Sequence, residues 1–170
     1  HSVEAKLEPT HIALVFDKGV SFRRDLYEDY KAQRPEKSQS FRLQWEAVIP
    51  LCTAAGYTIY REEDGYEADD TIASLAEHYK AECDVQIFSA DKDFAQLVDE
   101  HVSLIQPDPR TGSLKSVGVA EVEKKYGGAE NVVTFLSLLG DASDNVPGVP
   151  GVGKGFALKY IQKYGSWRNI

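Results

Sequence analysis

The sequence predicts an α/β fold, a mainly parallel central sheet with flanking helices, continued by a helical C-terminal region. Three observations carry this. Short continuous apolar runs end in acidic turns, stretches of helical periodicity separate those runs, and from Val119 onward only the helical period remains. The implied division is 1–118 for the α/β part and 119–170 for the helical part.

In chain order, 1–10 reads as the end of a helix. The run 12–16 ends at Asp17, as a buried parallel strand does where it opens into a loop. A segment rich in cations and aromatics follows over 22–42. Trp45, Val48, Ile49 and Cys52 then make a helical stripe that ends near Gly56, a C-cap residue. A strand is expected at 57–60. Glu67, Asp69 and Asp70 precede Ile72, Leu75, Ala76 and Tyr79, whose spacing marks an amphipathic helix over 69–80 with acids in its first turn. The strand 85–89 runs into Asp91-Lys92-Asp93, and a helix near 93–99, a strand at 102–105 and a Pro/Gly-rich turn at 107–112 complete the alternation. Beyond Val119, Val132, Leu136 and Leu139 share one helical face. Neither an internal repeat nor a low-complexity segment is present.

At 170 residues the chain can bury a sizeable core. No apolar stretch is long enough for a membrane span and no secretion signal is visible. Cys52 and Cys83 have neither metal-ligand nor paired spacing, which suits reduced thiols in a reducing compartment. The net charge of −8 argues against a uniformly basic nucleic-acid surface, yet its distribution matters more than its sum.

The acids cluster. Asp17, Glu67, Asp69, Asp70, Asp91, Asp93, Asp141 and Asp144 fall beside element boundaries, and those after strands lie at the edge where open α/β sheets bind ligands. Any one cluster also reads as turn chemistry or as a complement to a helix dipole. Four on one predicted edge repel unless a cation neutralises them, and hard oxygen donors suit Mg²⁺ or Mn²⁺. No His or Cys cluster competes for the role.

Two further motifs bear on a polyanion. Arg23, Arg24, Lys31, Arg34, Lys37 and Arg42 interleave with Phe22, Tyr27, Tyr30 and Phe41, a mixture suited to backbone contact and base stacking, or equally to a solvated helix with an aromatic face. Gly148 to Ala157 contains a Gly-x-Gly turn opening a helix, which serves either as a phosphate cradle or as a tight helix connection; it does not meet the Walker A pattern. Because Asp141 and Asp144 directly precede it, one polyanion can touch both.

The strings VFD (15–17), FR (22–23), YKAQRP (30–35), GYEADDTIASLA (65–76), SADKDFAQLV (89–98), KYG (125–127) and GDASDNVPGVPGVGKGFA (140–157) resemble, in order and over residues 10–165, the 5′ nuclease domain of bacterial DNA polymerase I. That family belongs with the flap endonucleases and, more distantly, the PIN-domain nucleases. The resemblance implies a PIN-like fold with a C-terminal helix-hairpin-helix region. It implies that the eight acids hold two Mg²⁺ or Mn²⁺ ions and that Lys31 and Arg34 act at the scissile phosphate. Arg23, Tyr30, Lys31 and Arg34 would contact DNA from an arch or clamp, and Gly148, Val149, Gly151, Val152, Gly153 and Lys154 would grip duplex backbone, with K⁺ at the turn.

Two departures stand out. The family's first strand, ending in Val/Ile-Asp-Gly and supplying another carboxylate, has no counterpart before Asp17, and the stretch from Asp17 to Phe22 is one residue short. The expected function is a structure-selective 5′-3′ exonuclease/flap endonuclease of DNA replication and repair. It would act as a monomer on DNA with 5′ flaps, junctions or ends, in the cytoplasm or nucleoid of a bacterium, with no membrane partner. Alternatives are a PIN-like ribonuclease, for which RNA is the partner, and a structure-specific DNA-binding protein whose metal cluster is incomplete.

Overall fold

A computed structural model describes residues 3–17, 19–61, 65–165 and 167–169. The elements run α1 (Glu4–Leu7), β1 (Ala13–Phe16), α2 (Arg23–Leu26), α3 (Gln39–Ala54), β2 (Thr58–Arg61), α4 (Ala68–Tyr79), β3 (Val85–Phe88), β4 (Val102–Pro107), β5 (Leu114–Val117), α5 (Val119–Tyr126), α6 (Val132–Leu139), β6 (Gly140–Asp141), β7 (Val146–Pro147) and α7 (Lys154–Tyr164). They fall into two compact units, residues 1–22 with 34–71 and residues 23–33 with 72–170, a division that differs from a cut at 118/119.

In the first unit β1 and β2 pair in parallel, Ala13 opposite Thr58 and Phe16 opposite Arg61. Phe16 is buried and meets the Trp45 ring edge-on at 5.4 Å, which seats α3 on the strand pair. Ser38 caps α3 by accepting the Phe41 N–H, and Gly56, at φ +89°, ends it as the sequence indicates.

The second unit holds the main core. β3 pairs in parallel with β4, Val85 opposite Val102, and β5 adds antiparallel to β4. Leu104, Val102, Val122, Tyr126, Val132, Phe135, Ala157 and Ile161 are almost completely buried, so strand β4 and helices α5, α6 and α7 share one apolar interior. The expected parallel pairs are therefore present but lie in separate sheets, β1–β2 and β3–β4–β5.

Two local expectations need correction, and the expected turn at 107–112 gains a partner strand. The turn at 107–112 is the loop of a hairpin: Asp108 Oδ1 accepts the Arg110 N–H at 2.8 Å, the Asp108 N–H reaches the Ser113 carbonyl at 2.8 Å, and β5 follows. The helix near 93–99 is a single 3₁₀ turn, Asp93–Leu97, held at its start by the Asp91 carboxylate on the Asp93 N–H at 2.9 Å. The region after Val119 is not wholly helical, because Gly140 pairs with Pro147 and Asp141 with Val146 in a two-strand ribbon. Close backbone approach makes that ribbon: a Cβ on Gly148 would collide with the Leu139 carbonyl group, and one on Gly140 would lie 2.7 Å from the Val146 oxygen. No described helix is long and apolar enough to cross a membrane.

Candidate metal centre and its cations

In the first unit, Asp17 leaves β1 and its Oδ1 accepts the Ala68 N–H at 2.6 Å, at the start of α4. Asp70 Oδ2 accepts the Glu67 N–H at 2.9 Å. Helix starts leave N–H groups unpaired and carry positive partial charge, so acids collect there. Asp17, Glu67, Asp69 and Asp70 thus gather at one helix start. Arg34 belongs to this unit and is exposed.

In the second unit, Asp93, Asp141 and Asp144 each offer a carboxylate oxygen within 4.8 Å of the others. Asp93 opens the 3₁₀ turn, Asp141 sits on β6 and Asp144 on the loop joining β6 to β7. Asp91 stands apart, exposed and spent on capping Asp93.

Cations border this trio. Lys92 Nζ donates to Asp141 Oδ2 at 2.6 Å and lies 3.3 Å from Asp93 Oδ1. Lys31 Nζ is 3.9 Å from Asp144 Oδ1, and the buried Tyr30 donates its hydroxyl to Asp144 Oδ2 at 3.1 Å. Tyr30 therefore supports a carboxylate instead of presenting an open stacking face. Burial alone would push the Asp141 carboxyl up, but Lys92, the Ser143 hydroxyl and the Ser143 N–H hold it at about 2. For Asp93 burial wins: its carboxyl is raised, with Lys92 opposing and Asp91 and Asp141 adding to the rise.

The trio fits a hard divalent cation. Its donors are all carboxylate oxygens, and Asp93 Oδ1 is buried without a hydrogen bond of good geometry, its lysine neighbour being an ion-pair contact only. A coordinating cation would satisfy an oxygen without a hydrogen-bond partner among the described residues.

At the Gly-rich motif, Gly148 is consumed by the backbone contact with Leu139 and Gly140, and the Val149 N–H reaches the Leu138 carbonyl at 2.8 Å. Gly151, at φ +82°, and Gly153 face open space. Val152 is half-buried against the core, whereas Lys154 is exposed and opens α7, which Gly153 precedes without any side-chain cap. Arg23 opens α2 and is half-buried.

Sequence reasoning missed Lys92, Ser143, Gln33 and Asn145. Lys92 had a signal, a cation set between two aspartates. Asn145 had only its place after Asp144.

An α/β region, a trio of carboxylates that could hold a cation, and helices joined by a glycine-rich turn are the features a metal-dependent nuclease requires. Sequence profiles agree. One described as "5′-3′ exonuclease, N-terminal resolvase-like domain" matches residues 1–127, and one described as "5′-3′ exonuclease, C-terminal SAM fold" matches residues 128–170. The chain belongs to the 5′-3′ exonuclease family.

Among its relatives, a 5′-3′ exonuclease of Aquifex aeolicus is 38% identical over 172 residues, covering 99% of this chain and 58% of the relative. DNA polymerase I of Deinococcus radiodurans is 38% identical, covering 98% of this chain and 17% of the polymerase. A thermostable DNA polymerase I of Thermus filiformis is 41% identical, covering 94% and 19%. The chain thus spans little more than half of the first and under a fifth of the polymerases. A structure of T5 5′-exonuclease with bound divalent metal ions (zinc) superposes with a TM-score of 0.81 at 23% identity over 99% of this chain and 65% of that one. The catalytic core of Rad2 in complex with DNA substrate superposes at 0.66 and 19% identity over 92% and 48%. These likenesses show the fold.

Proposed function

We propose that the chain carries a structure-selective 5′ nuclease that hydrolyses DNA phosphodiesters at 5′ flaps, junctions and ends in replication and repair. The observation that carries this reading is the trio Asp93, Asp141 and Asp144, with oxygens within 4.8 Å and Lys31 beside Asp144. Family membership and the named relatives support it, as does the Rad2 structure with DNA substrate.

Divalent cations, Mg²⁺ or Mn²⁺ and two in number, would be held by Asp93, Asp141 and Asp144, with Asp17, Glu67, Asp69, Asp70 and Asp91 as further proposed ligands; when bound they supply water activation and charge neutralisation at the phosphate. The protein's own groups do the rest. Lys31, held on Asp144, places a cation where negative charge builds on the phosphoryl oxygens, and Arg34 is proposed to add a second. Asp141, ionised down to about pH 2, stays an acceptor at any physiological pH. Arg23 would hold backbone on the approach.

Residues 119–170 are proposed as the duplex-gripping region, with Gly148, Val149, Gly151, Val152, Gly153 and Lys154 forming its turn. Open space at Gly151 and Gly153 and the uncapped start of α7 support contact with a phosphate. K⁺ at that turn, a monomeric state and a bacterial cytoplasmic location rest on family likeness alone. Cleavage of a 5′-flap DNA by the chain in Mg²⁺ or Mn²⁺, beside a matched RNA flap, tests the reading. Hydrolysis of the DNA flap that disappears in Asp93→Ala, with flap binding retained, is expected. Binding without hydrolysis by the parent would leave a structure-specific DNA-binding protein, and preference for the RNA flap a ribonuclease.

A further inference from the structure

Two stretches of the second unit, more than a hundred residues apart in sequence, are sewn together by polar contacts. Tyr27 donates its hydroxyl to the Asn145 carbonyl at 3.1 Å, and the Lys31 N–H reaches the Asp144 carbonyl at 3.1 Å. Gln33 Nε2 donates to the Ala142 carbonyl at 2.8 Å and to that of Ser143 at 3.2 Å. In the reverse direction, Asn145 Nδ2 donates to the Asp29 carbonyl at 2.9 Å. All five of these bonds use backbone acceptors, so they fix the path of the chain rather than one rotamer.

The backbone at the junction turns left-handed on both sides. Lys31 has φ +54° and Asn145 φ +61°, left-handed conformations in two residues that are not glycine. Asparagine visits that region more readily than other non-glycine residues, whereas a lysine is disfavoured there. Such a conformation persists only where the surroundings over-determine it. Here those surroundings include the bonds to 142–145.

We infer that Asn145, with Gln33 as its partner in the same clamp, is a positioning residue that holds Lys31 in its left-handed conformation and so keeps the ammonium beside Asp144. Asn145 touches neither phosphate nor cation in this role. It acts through Lys31, and the inference rests on the proposed nuclease reading for its kinetic consequence, though not for its structural one.

The decisive experiment joins a double-mutant cycle to amide exchange. Asn145→Gly keeps the left-handed backbone accessible and removes the amide alone; Gln33→Ala, at an exposed position, serves as the independent second variant. On a 5′-flap DNA in Mn²⁺, each should lower the single-turnover rate by about 10- to 100-fold, the range expected of small misplacements, with flap affinity changed by less than about twofold. In a Lys31→Ala background the same substitutions should cost almost nothing, since their target is gone. Without metal or DNA, each should speed hydrogen exchange at the Lys31 amide. Additive losses in the cycle, or unaltered exchange at Lys31, would overturn the inference. A parent chain that fails to cleave any flap would sink the nuclease reading instead, and the exchange data would still decide whether Asn145 and Gln33 hold the segment.

Discussion

Lys92 and Asp141 form an ion pair, Nζ to Oδ2 at 2.6 Å, and the same ammonium stands 3.3 Å from Asp93. A lysine supplied by the Asp91-Lys92-Asp93 turn thus neutralises part of the carboxylate trio proposed to hold a cation. Burial lowers the tendency of Lys92 to stay charged, but Asp141 and Asp93 outweigh it and its pKa is raised. At the proposed site the ammonium would therefore compete with a divalent cation for the same oxygens.

Removing that competitor should tighten metal binding. Lys92→Met keeps the aliphatic stem and deletes the charge, and Mn²⁺ affinity, followed by electron paramagnetic resonance of free Mn²⁺, should rise roughly tenfold, the order expected for one unit charge a few ångströms from a partly exposed site. Weaker Mn²⁺ binding by a folded Lys92→Met protein would instead make the lysine a support that orients Asp141.

The pH dependence of stability has a definite direction. Asp141 titrates near 2 in the folded protein and near 3.8 when unperturbed, so the unfolded chain takes up its proton first as pH falls. Its contribution is complete above about pH 4 and is lost as pH drops through 2. Asp93 has the opposite sign, because its raised folded pKa means that ionisation above 3.8 costs stability. In a metal-free buffer with chelator, Asp141→Asn should therefore melt lower than the parent at pH 6, and the gap should close between pH 4 and 2. Parallel melting curves across that window would show that Asp141 contributes no linkage.

Lys31→Ala tests the phosphate chemistry. A cation used mainly as charge develops should affect the single-turnover rate more than flap affinity, by about 100-fold against a few-fold. Equal losses in both quantities would reassign Lys31 to substrate binding.

What the sequence revealed, and what it hid, follows from the range of the forces involved. The strands ending at Asp17 and near Asp91 were legible from their apolar residues and the acidic turns that follow, although only Phe16 and Ile87 in them are buried rather than whole runs as expected, and the helix from Ala68 because its stripe repeats at the helical period. The hairpin strand β5 was not, since Leu114-Lys115-Ser116-Val117 is short and half exposed and owes its pairing to β4. The Asp93–Asp141–Asp144 trio was legible as a set of residue types. That Lys92 is its nearest cation, that Tyr30 is buried beneath Asp144 and that Asn145 ties down Asp29 are long-range tertiary facts without periodicity or local spacing to announce them.

The glycine motif separates structure from binding within a few residues. Gly148→Ala drives a methyl into the Leu139 carbonyl group and the Gly140 N–H, backbone atoms that cannot rotate away, so it should destabilise the fold by about 1–3 kcal/mol. Gly153 differs on every count. Its φ of −94° is open to any residue and a Cβ would meet nothing within 4 Å, so Gly153→Val should fold, at a cost of up to about 1 kcal/mol for a poorer helix cap. If the start of α7 receives a phosphate, however, the isopropyl group stands where the backbone must approach it. Affinity for a duplex-bearing flap should then fall at least several-fold, equally for unrelated sequences because only backbone is read, while single-strand binding hardly changes. Both affinities belong at one fixed salt concentration, with circular dichroism confirming the fold. A folded Gly153→Val protein that holds duplex flaps as tightly as the parent would reduce the turn to a helix connection and move the duplex grip elsewhere on the chain.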